Sequence, residues 1–317
     1  MSDLGRVVVL AGGLSHERDV SLRSGRRIAD ALRAVDVDVE VMDVDGRLLG
    51  ALAADRPDVV FPALHGAYGE DGAVRDVLEL LGIPYVGSRP DACRLAFDKP
   101  MAKAALRAAG VRTPDSVALP QDTFRDLGAS AVLDAIVARL GLPLFVKPAR
   151  GGSALGASVA RTLEELSTAM VGAFSYGDVA LVETYLAGTE VAVSVVDTGS
   201  GPEALPAVEI VPDAEVYDYT ARYTAGMTEF FVPSRLTPEA AQAAVQAALT
   251  AHQVLRLRDV SRTDLIVDAD GTPWFLEANV APGMTETSLL PQAITAAGLD
   301  TGVLYRELLH QAATRST

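Results

Sequence analysis

Residues 260–287 read VSRTDLIVDADGTPWFLEANVAPGMTET and hold the densest chemistry in the chain. Two apolar runs flank Asp268-Ala269-Asp270-Gly271, the signal of a β-hairpin. Side chains alternate between faces along a strand. Arg262 and Asp264 therefore share one face of the first strand, and Glu277 and Asn279 share one face of the second. A loop of two or four residues sets Arg262 opposite Glu277 and turns all four polar groups to one side. Two carboxylates, an amide oxygen and a guanidinium are costly to bury together without a purpose. Oxygen donors at this density suit Mg²⁺ bridging the phosphates of a nucleotide. The arginine beside them suits a phosphoryl group or a developing oxyanion. A solvated sheet face would show the same alternation. The Asn279-Val280-Ala281-Pro282-Gly283 turn weighs against it, because backbone N–H groups beside a metal are useful for oxyanions.

Composition narrows the field around this hairpin. With 317 residues, the chain is longer than one typical domain and predicts two or three. Hydrophobic residues make up 49% and charged residues 22%, which allows a globular core throughout. The net charge is −15 and no basic run stands out, which argues against a nucleic-acid partner. Cys93 is the single cysteine, so no internal disulfide forms and a reducing compartment fits. No apolar run reaches the roughly 18 residues of a membrane span. The N-terminal residues lack the layout of a signal peptide, and a cytoplasmic location is expected. No internal repeat or low-complexity segment is evident.

Taken in order, the chain begins with Arg6–Leu10, a continuous apolar run typical of a buried parallel strand. Gly12-Gly13-Leu14-Ser15 and an amphipathic helix follow, a mononucleotide-like βα unit. The turn does not read GxGxxG, and no acidic residue clearly ends the next strand, so it does not specify a dinucleotide site. Glu17, near the helix start, could grip an ammonium group or simply favour the helix dipole. Strands are expected over Val37–Val44 and Asp58–Leu64. The second runs into His65 and a loop with Gly66, Gly69 and Gly72 at a strand's carboxyl end, where open α/β sheets bind ligands. His65 could be structural or part of that site. A helix over Val74–Leu81 and a short strand over Ile83–Val86 follow.

Lys99 opens a helical run over Met101–Ala109, where a cation opposes the helix dipole and hints at an anion to be met. Leu144–Lys147 reads as a strand, followed by the Gly-rich loop 148–156 and strand character over Gly156–Ala160. Lys147 and the loop's backbone N–H groups could clamp phosphates. Further strands are expected over Leu181–Leu186, Glu190–Val196 and Ala204–Val211. Residues 212–233 show little periodicity and many aromatics, the mark of a functional lid. Helices are expected over residues 237–256, 288–297 and 302–313.

In this order the motifs resemble the D-alanine–D-alanine ligase family, of the ATP-grasp fold. The resemblance runs end to end. It rests on Gly12-Gly13-Leu14-Ser15 with Glu17, His65-Gly66 with Gly69-Glu70-Asp71-Gly72, Pro84-Tyr85-Val86-Gly87-Ser88 and Asp98-Lys99. Val146-Lys147-Pro148, Tyr217-Asp218-Tyr219 with Arg222-Tyr223, and Arg262-Thr263-Asp264 continue it. Glu277-Ala278-Asn279, Pro282-Gly283-Met284-Thr285 and Ser288-Leu289-Leu290-Pro291 close it.

The resemblance implies an α/β fold, α+β in part. Residues 1–97 would form a Rossmann-like parallel-sheet domain. Residues 98–186 and 187–317 would form central and C-terminal domains that clamp ATP, with 212–233 as lid. Lys99 and Lys147 would hold the phosphates, Glu183 and Leu186 the adenine, and Glu190 the ribose. Asp264, Glu277 and Asn279 would hold two Mg²⁺ ions, for which Mn²⁺ could substitute. The implied reaction phosphorylates the carboxylate of one D-alanine and lets the amine of a second attack the acyl phosphate. Glu17, linked through Ser153 to Tyr223, would bind the first ammonium. Arg262 and the Gly283 N–H would stabilise the oxyanion. Ser288 and Leu289 would receive the second carboxylate, with His65 nearby. A cytoplasmic homodimer acting on small molecules, away from membrane and nucleic acid, is the family habit.

The chain departs from the family pattern at four places. Arg222-Tyr223 stands for Lys-Tyr, Gly152-Ser153-Ala154 for Gly-Ser-Ser, Gly151 for an acidic or polar residue, and Asn279-Val280 for Asn-Thr. The altered loop motivates a second expectation, a ligase of the same fold joining another amino acid pair. A non-catalytic nucleotide-binding protein or a dinucleotide-dependent oxidoreductase is a third, against which the Asp264–Glu277–Asn279 set argues.

Overall fold

The computed structural model describes residues 4–213, 217, 222, 224 and 226–315. The first unit alternates β1 (Val7–Ala11), α1 (Arg18–Arg33), β2 (Val39–Asp43), α2 (Leu48–Ala54), β3 (Val59–Pro62) and α3 (Ala73–Leu80). Its three strands are parallel in the order β2-β1-β3. β1 is buried along its whole length, which is why its sequence is apolar without alternation. The strand expected over Ile83–Val86 is reduced to one parallel bridge, Val60 to Tyr85. Pro84 offers no N–H there and contributes only its carbonyl, to Val60 N at 2.9 Å.

Two helices, α4 (Pro90–Phe97) and α5 (Lys99–Ala108), lead onward. Asp98 caps α5 by accepting from Met101 N at 3.1 Å, so the helix begins two residues before the expected Met101. Next come β4 (Ser116–Pro120), α6 (Gln121–Leu127), α7 (Ala129–Leu140), β5 (Leu144–Pro148), β6 (Ser158–Ala160), α8 (Leu163–Phe174) and β7 (Val179–Thr184). The antiparallel sheet β4-β7-β5-β6 packs against α7 and α8.

The remaining elements are β8 (Thr189–Val196), β9 (Glu203–Ala204), β10 (Val208–Pro212), β11 (Thr228–Phe231), α9 (Pro238–Val254), β12 (Val260–Val267), β13 (Pro273–Asn279), α10 (Leu289–Ala296) and α11 (Thr301–Thr314). β11, β10, β8, β12 and β13 form one antiparallel sheet, with β9 also on β8. The single strand expected over Ala204–Val211 is two, because Pro206 cannot donate to a ladder. Within 212–233, Thr228–Phe231 pairs with β10, so that segment is not wholly irregular.

The β12–β13 hairpin forms as expected, but in another register. Its loop spans residues 268–272, closed by Asp268 N to Thr272 O at 3.0 Å, with Gly271 at φ 78°. This odd-length loop shifts the pairing by one residue. A β-bulge at Leu276 shifts it by one more. Arg262 therefore faces Asn279 and Asp264 faces Glu277, not Arg262 opposite Glu277. Two one-residue shifts restore the parity of the pleat, so the four polar residues still share a face. The opposite face carries Leu265 and Phe275, both fully buried under α9 and α5. Each contributes about 2–3 kcal/mol by burial. Ala244, Ala248 and Ala251 let α9 lie close against them. That packing turns the polar face toward the central sheet.

Candidate functional site

A cleft of about 410 Å³ lies between the central and C-terminal sheets. Lys99, Lys147, Glu183, Leu186 and Glu190 line it, together with Asp264 and Glu277. A smaller cavity of about 50 Å³ adjoins it, lined by Glu17, His65, Ser153, Gly283, Ser288 and Leu289, with Arg262 and Asn279. Gly152, Tyr217 and Arg222 line both spaces. The hairpin's polar face is thus divided, Asp264 and Glu277 toward the large space and Arg262 and Asn279 toward the small one. Tyr223 lies outside the described residues.

The charges on that face are tightly matched. Arg262 Nε and Nη2 each donate to an Asp264 carboxylate oxygen at 2.7 Å, a bidentate pair that is almost fully buried. Burial alone would depress the Arg262 pKa, but Asp264 raises it above its ordinary value. Asn279 Nδ2 lies 3.4 Å from Asp264 Oδ2. Glu277 Oε2 lies 3.4 Å from Lys99 Nζ, which also donates to Gly151 O at 2.6 Å. Burial would raise the Glu277 carboxyl, yet Lys99, Lys147, Arg222 and Arg262 outweigh it and hold it down at about 2. Arg222 stacks on Tyr217, with its guanidinium carbon 4.4 Å from the ring centre.

In the small cavity Glu17 is 5% exposed and accepts a short hydrogen bond from Ser153 Oγ. Burial raises its pKa, opposed by Ser153 and the nearby cations. Gly66, at φ 70°, passes so close that a Cβ would sit 2.3 Å from Glu17 Oε2. Ser288 precedes α10, and its Oγ accepts from Thr285 N at 2.9 Å. The first N–H groups of α10, beginning at Leu289, are left for an acceptor such as a carboxylate.

His65 is 5% exposed, with Nδ1 3.0 Å from Ala281 O and Nε2 2.9 Å from Ser24 Oγ. A carbonyl can only accept, so Nδ1 carries the proton and Nε2 accepts from Ser24. Burial lowers the His65 pKa to about 4, and the ring stays neutral in the folded protein. The unfolded chain takes up that proton below about pH 6.5. The stability this supplies is complete above that pH and is lost as pH falls toward 4. Between pH 7 and pH 5 the loss is about 2 kcal/mol. Urea unfolding of His65→Asn should show a pH dependence smaller by that amount. An unchanged dependence contradicts the assignment.

Several residues of the site carry no role in the sequence reading. Glu70 lines the small cavity, accepts from Gly66 N at 2.8 Å and is pushed up to about 8 by burial and Glu17. Lys103 is 1% exposed, one turn along α5 from Lys99. Its periodicity had a signal, since Ala102 and Leu106 flank it on the buried face. An acidic residue, Asp43, does end β2. It pairs with Arg18 and accepts from Gly13 N at 3.0 Å, so its carboxylate is already engaged by the chain's own groups.

Among the described residues no three His, Cys, Asp or Glu side chains converge at metal-binding distance. The donors present are the Asp264 and Glu277 carboxylates and the Asn279 amide. This all-oxygen set, beside a cleft with two lysines, fits a hard cation that takes its remaining ligands from phosphates and water. Among the same residues no helix is long and apolar enough to cross a membrane.

Comparison with known proteins places the chain. The model of the D-ala D-ala ligase C-terminus matches residues 105–310, and that of the N-terminus matches residues 48–88. The D-alanine--D-alanine ligase of Anaeromyxobacter sp. (strain K) is 42% identical over 311 residues, 98% of each chain. The crystal structure of the Bacillus anthracis D-alanine--D-alanine ligase superposes with a TM-score of 0.83 at 32% identity, covering 97% of both chains. The same enzyme complexed with ATP gives 0.81 at 31% identity, over 98% of this chain and 97% of that one. The VanG D-Ala:D-Ser ligase from Enterococcus faecalis gives 0.81 at 27% identity, over 97% and 99%. With its architecture, both family models and full-length relatives in agreement, the chain belongs to the D-alanine–D-alanine ligase family, of the ATP-grasp fold.

Proposed function

We propose that this protein joins two D-alanines into D-alanyl-D-alanine, converting ATP to ADP and phosphate, as a step in peptidoglycan precursor synthesis. One observation carries the proposal. A single sheet face presents two carboxylates to a nucleotide-sized cleft and an arginine to a small adjoining cavity lined by Glu17, Ser153 and Ser288.

Lys99 and Lys147 bind the phosphates, Glu183 and Leu186 the adenine, and Glu190 the ribose. Asp264, Glu277 and Asn279 hold Mg²⁺, which when bound neutralises phosphate charge and aligns the γ-phosphoryl group. Glu17, supported by Ser153 and Tyr223, binds the first ammonium and aims that substrate's carboxylate at the γ-phosphate. Phosphorylation gives an otherwise poor electrophile a leaving group. Ser288 and Leu289 orient the second carboxylate so that its amine attacks the acyl carbon. Arg262 and the Gly283 N–H receive the charge that develops on the carbonyl oxygen. Both ring nitrogens of His65 are engaged, so it shapes the cavity wall and takes no proton.

Residues 1–97, 98–186 and 187–317 act as substrate, central and C-terminal domains, with 212–233 as lid. A cytoplasmic homodimer completes the reading. The test is ADP release over a panel of D- and L-amino acids. Strong turnover with D-alanine alone is expected. Turnover only with another pair, D-serine included, would replace D-alanine as the second substrate.

A further inference from the structure

Lys103 plays no part in the reaction outlined above, yet it is among the most deeply buried charged groups in the chain. Its Nζ lies 2.7 Å from Glu183 Oε1 and donates to Phe275 O at 3.0 Å, with the Phe275 ring centre at 5.7 Å. The other oxygen of Glu183, Oε2, lies 3.0 Å from Lys147 Nζ. Glu183 therefore stands between two lysines that differ in freedom. Lys147 lines the cleft, where phosphates could draw it away. Lys103 does not line the cleft and is tied to a backbone carbonyl of β13, on the far sheet.

We propose that Lys103 is a positioning residue for nucleotide selection, locking Glu183 as an ionised, acceptor-only carboxylate at the wall of the cleft. An ionised carboxylate accepts hydrogen bonds and donates none. It therefore selects a purine with an exocyclic amine and disfavours one with a keto oxygen at that position. When Lys147 turns to the phosphates, Lys103 alone keeps the charge on Glu183 and its orientation. Without Lys103, Glu183 is left buried beside one mobile cation. Its neutral form gains, and a neutral carboxyl can donate to a keto oxygen. The pKa directions agree, since burial would raise Glu183 but the two lysines hold it below its ordinary value. This inference rests on the cleft binding a purine nucleotide and is independent of which amino acids are joined.

The experiment is calorimetric titration of the full chain with ADP and IDP, which differ in the C6 amine against a keto oxygen and in the proton that the keto form carries on N1. Binding is read without turnover, so it stands even if the ligase assay fails. The parent should favour ADP by about tenfold or more. In Lys103→Met that preference should fall toward unity, chiefly through weaker ADP binding, while Lys103→Arg should keep most of it. Equal weakening of both nucleotides by Lys103→Met, with the preference intact, would overturn the inference. If Lys103→Met does not fold, Glu183→Gln serves, because an amide can rotate to donate or accept. Its preference should also collapse, and an unchanged preference would overturn the inference.

Discussion

Replacing Glu277 by Gln is expected to lower kcat by about 10³-fold while leaving the fold intact. The substitution keeps the shape and removes one charge. In the parent, four cations hold that carboxylate ionised far below neutral pH. The lost charge is one that a hard cation requires of its ligand and that Lys99, 3.4 Å away, requires of its partner. Because Glu277 projects into the cleft and not into the core, the thermal midpoint should stay within about 4 °C of the parent. Steady-state kinetics and a melting curve check both halves. Near-normal turnover would remove Glu277 from the metal assignment. A collapsed midpoint would instead make it a structural residue.

Arg262→Lys is expected to lower kcat by about 10²- to 10³-fold with little change in the KM for ATP. Lysine keeps the charge and loses the planar fork that grips both oxygens of Asp264. If Arg262 serves the developing oxyanion, the loss falls on kcat. If it were only a nucleotide anchor, the KM for ATP would rise with kcat preserved, and the oxyanion role would fail. Arg262→Ala probes something else. It strands a buried Asp264, and about 3–5 kcal/mol of stability should go with it. Comparing the two variants separates chemistry from folding.

The hairpin shows what could be read in the sequence and what could not. Alternation of polar and apolar residues has period two, so the shared face of Arg262, Asp264, Glu277 and Asn279 is a local property of the chain. The register is not local. The bulge at Leu276 sits where the outward groups of Phe275 are taken by Arg112 O, 2.8 Å from Phe275 N, and by Lys103 Nζ. Neither partner is close in sequence. Periodicity puts Lys103 on the buried face of α5, but its partners are fixed only when α5 lies against β13. Some omissions did have a local signal. Leu133, Ile136, Val137 and Leu140 carry the helical spacing of α7, and Thr162 with Glu165 marks the start of α8. Glu70 stood in a quoted motif, but its closeness to Glu17 depends on two loops meeting at the carboxyl ends of β1 and β3.

The most direct measurement follows one oxygen atom. D-Alanine labelled with ¹⁸O in both carboxylate oxygens is turned over with unlabelled ATP, and the released phosphate is analysed by mass. If a carboxylate oxygen attacks the γ-phosphorus and the second amine then expels phosphate, that oxygen leaves on the phosphate. Each phosphate should carry one ¹⁸O, and the new peptide carbonyl should keep the other. Phosphate without label, formed while D-alanyl-D-alanine accumulates, would contradict the acyl-phosphate route and the roles assigned to the β12–β13 face.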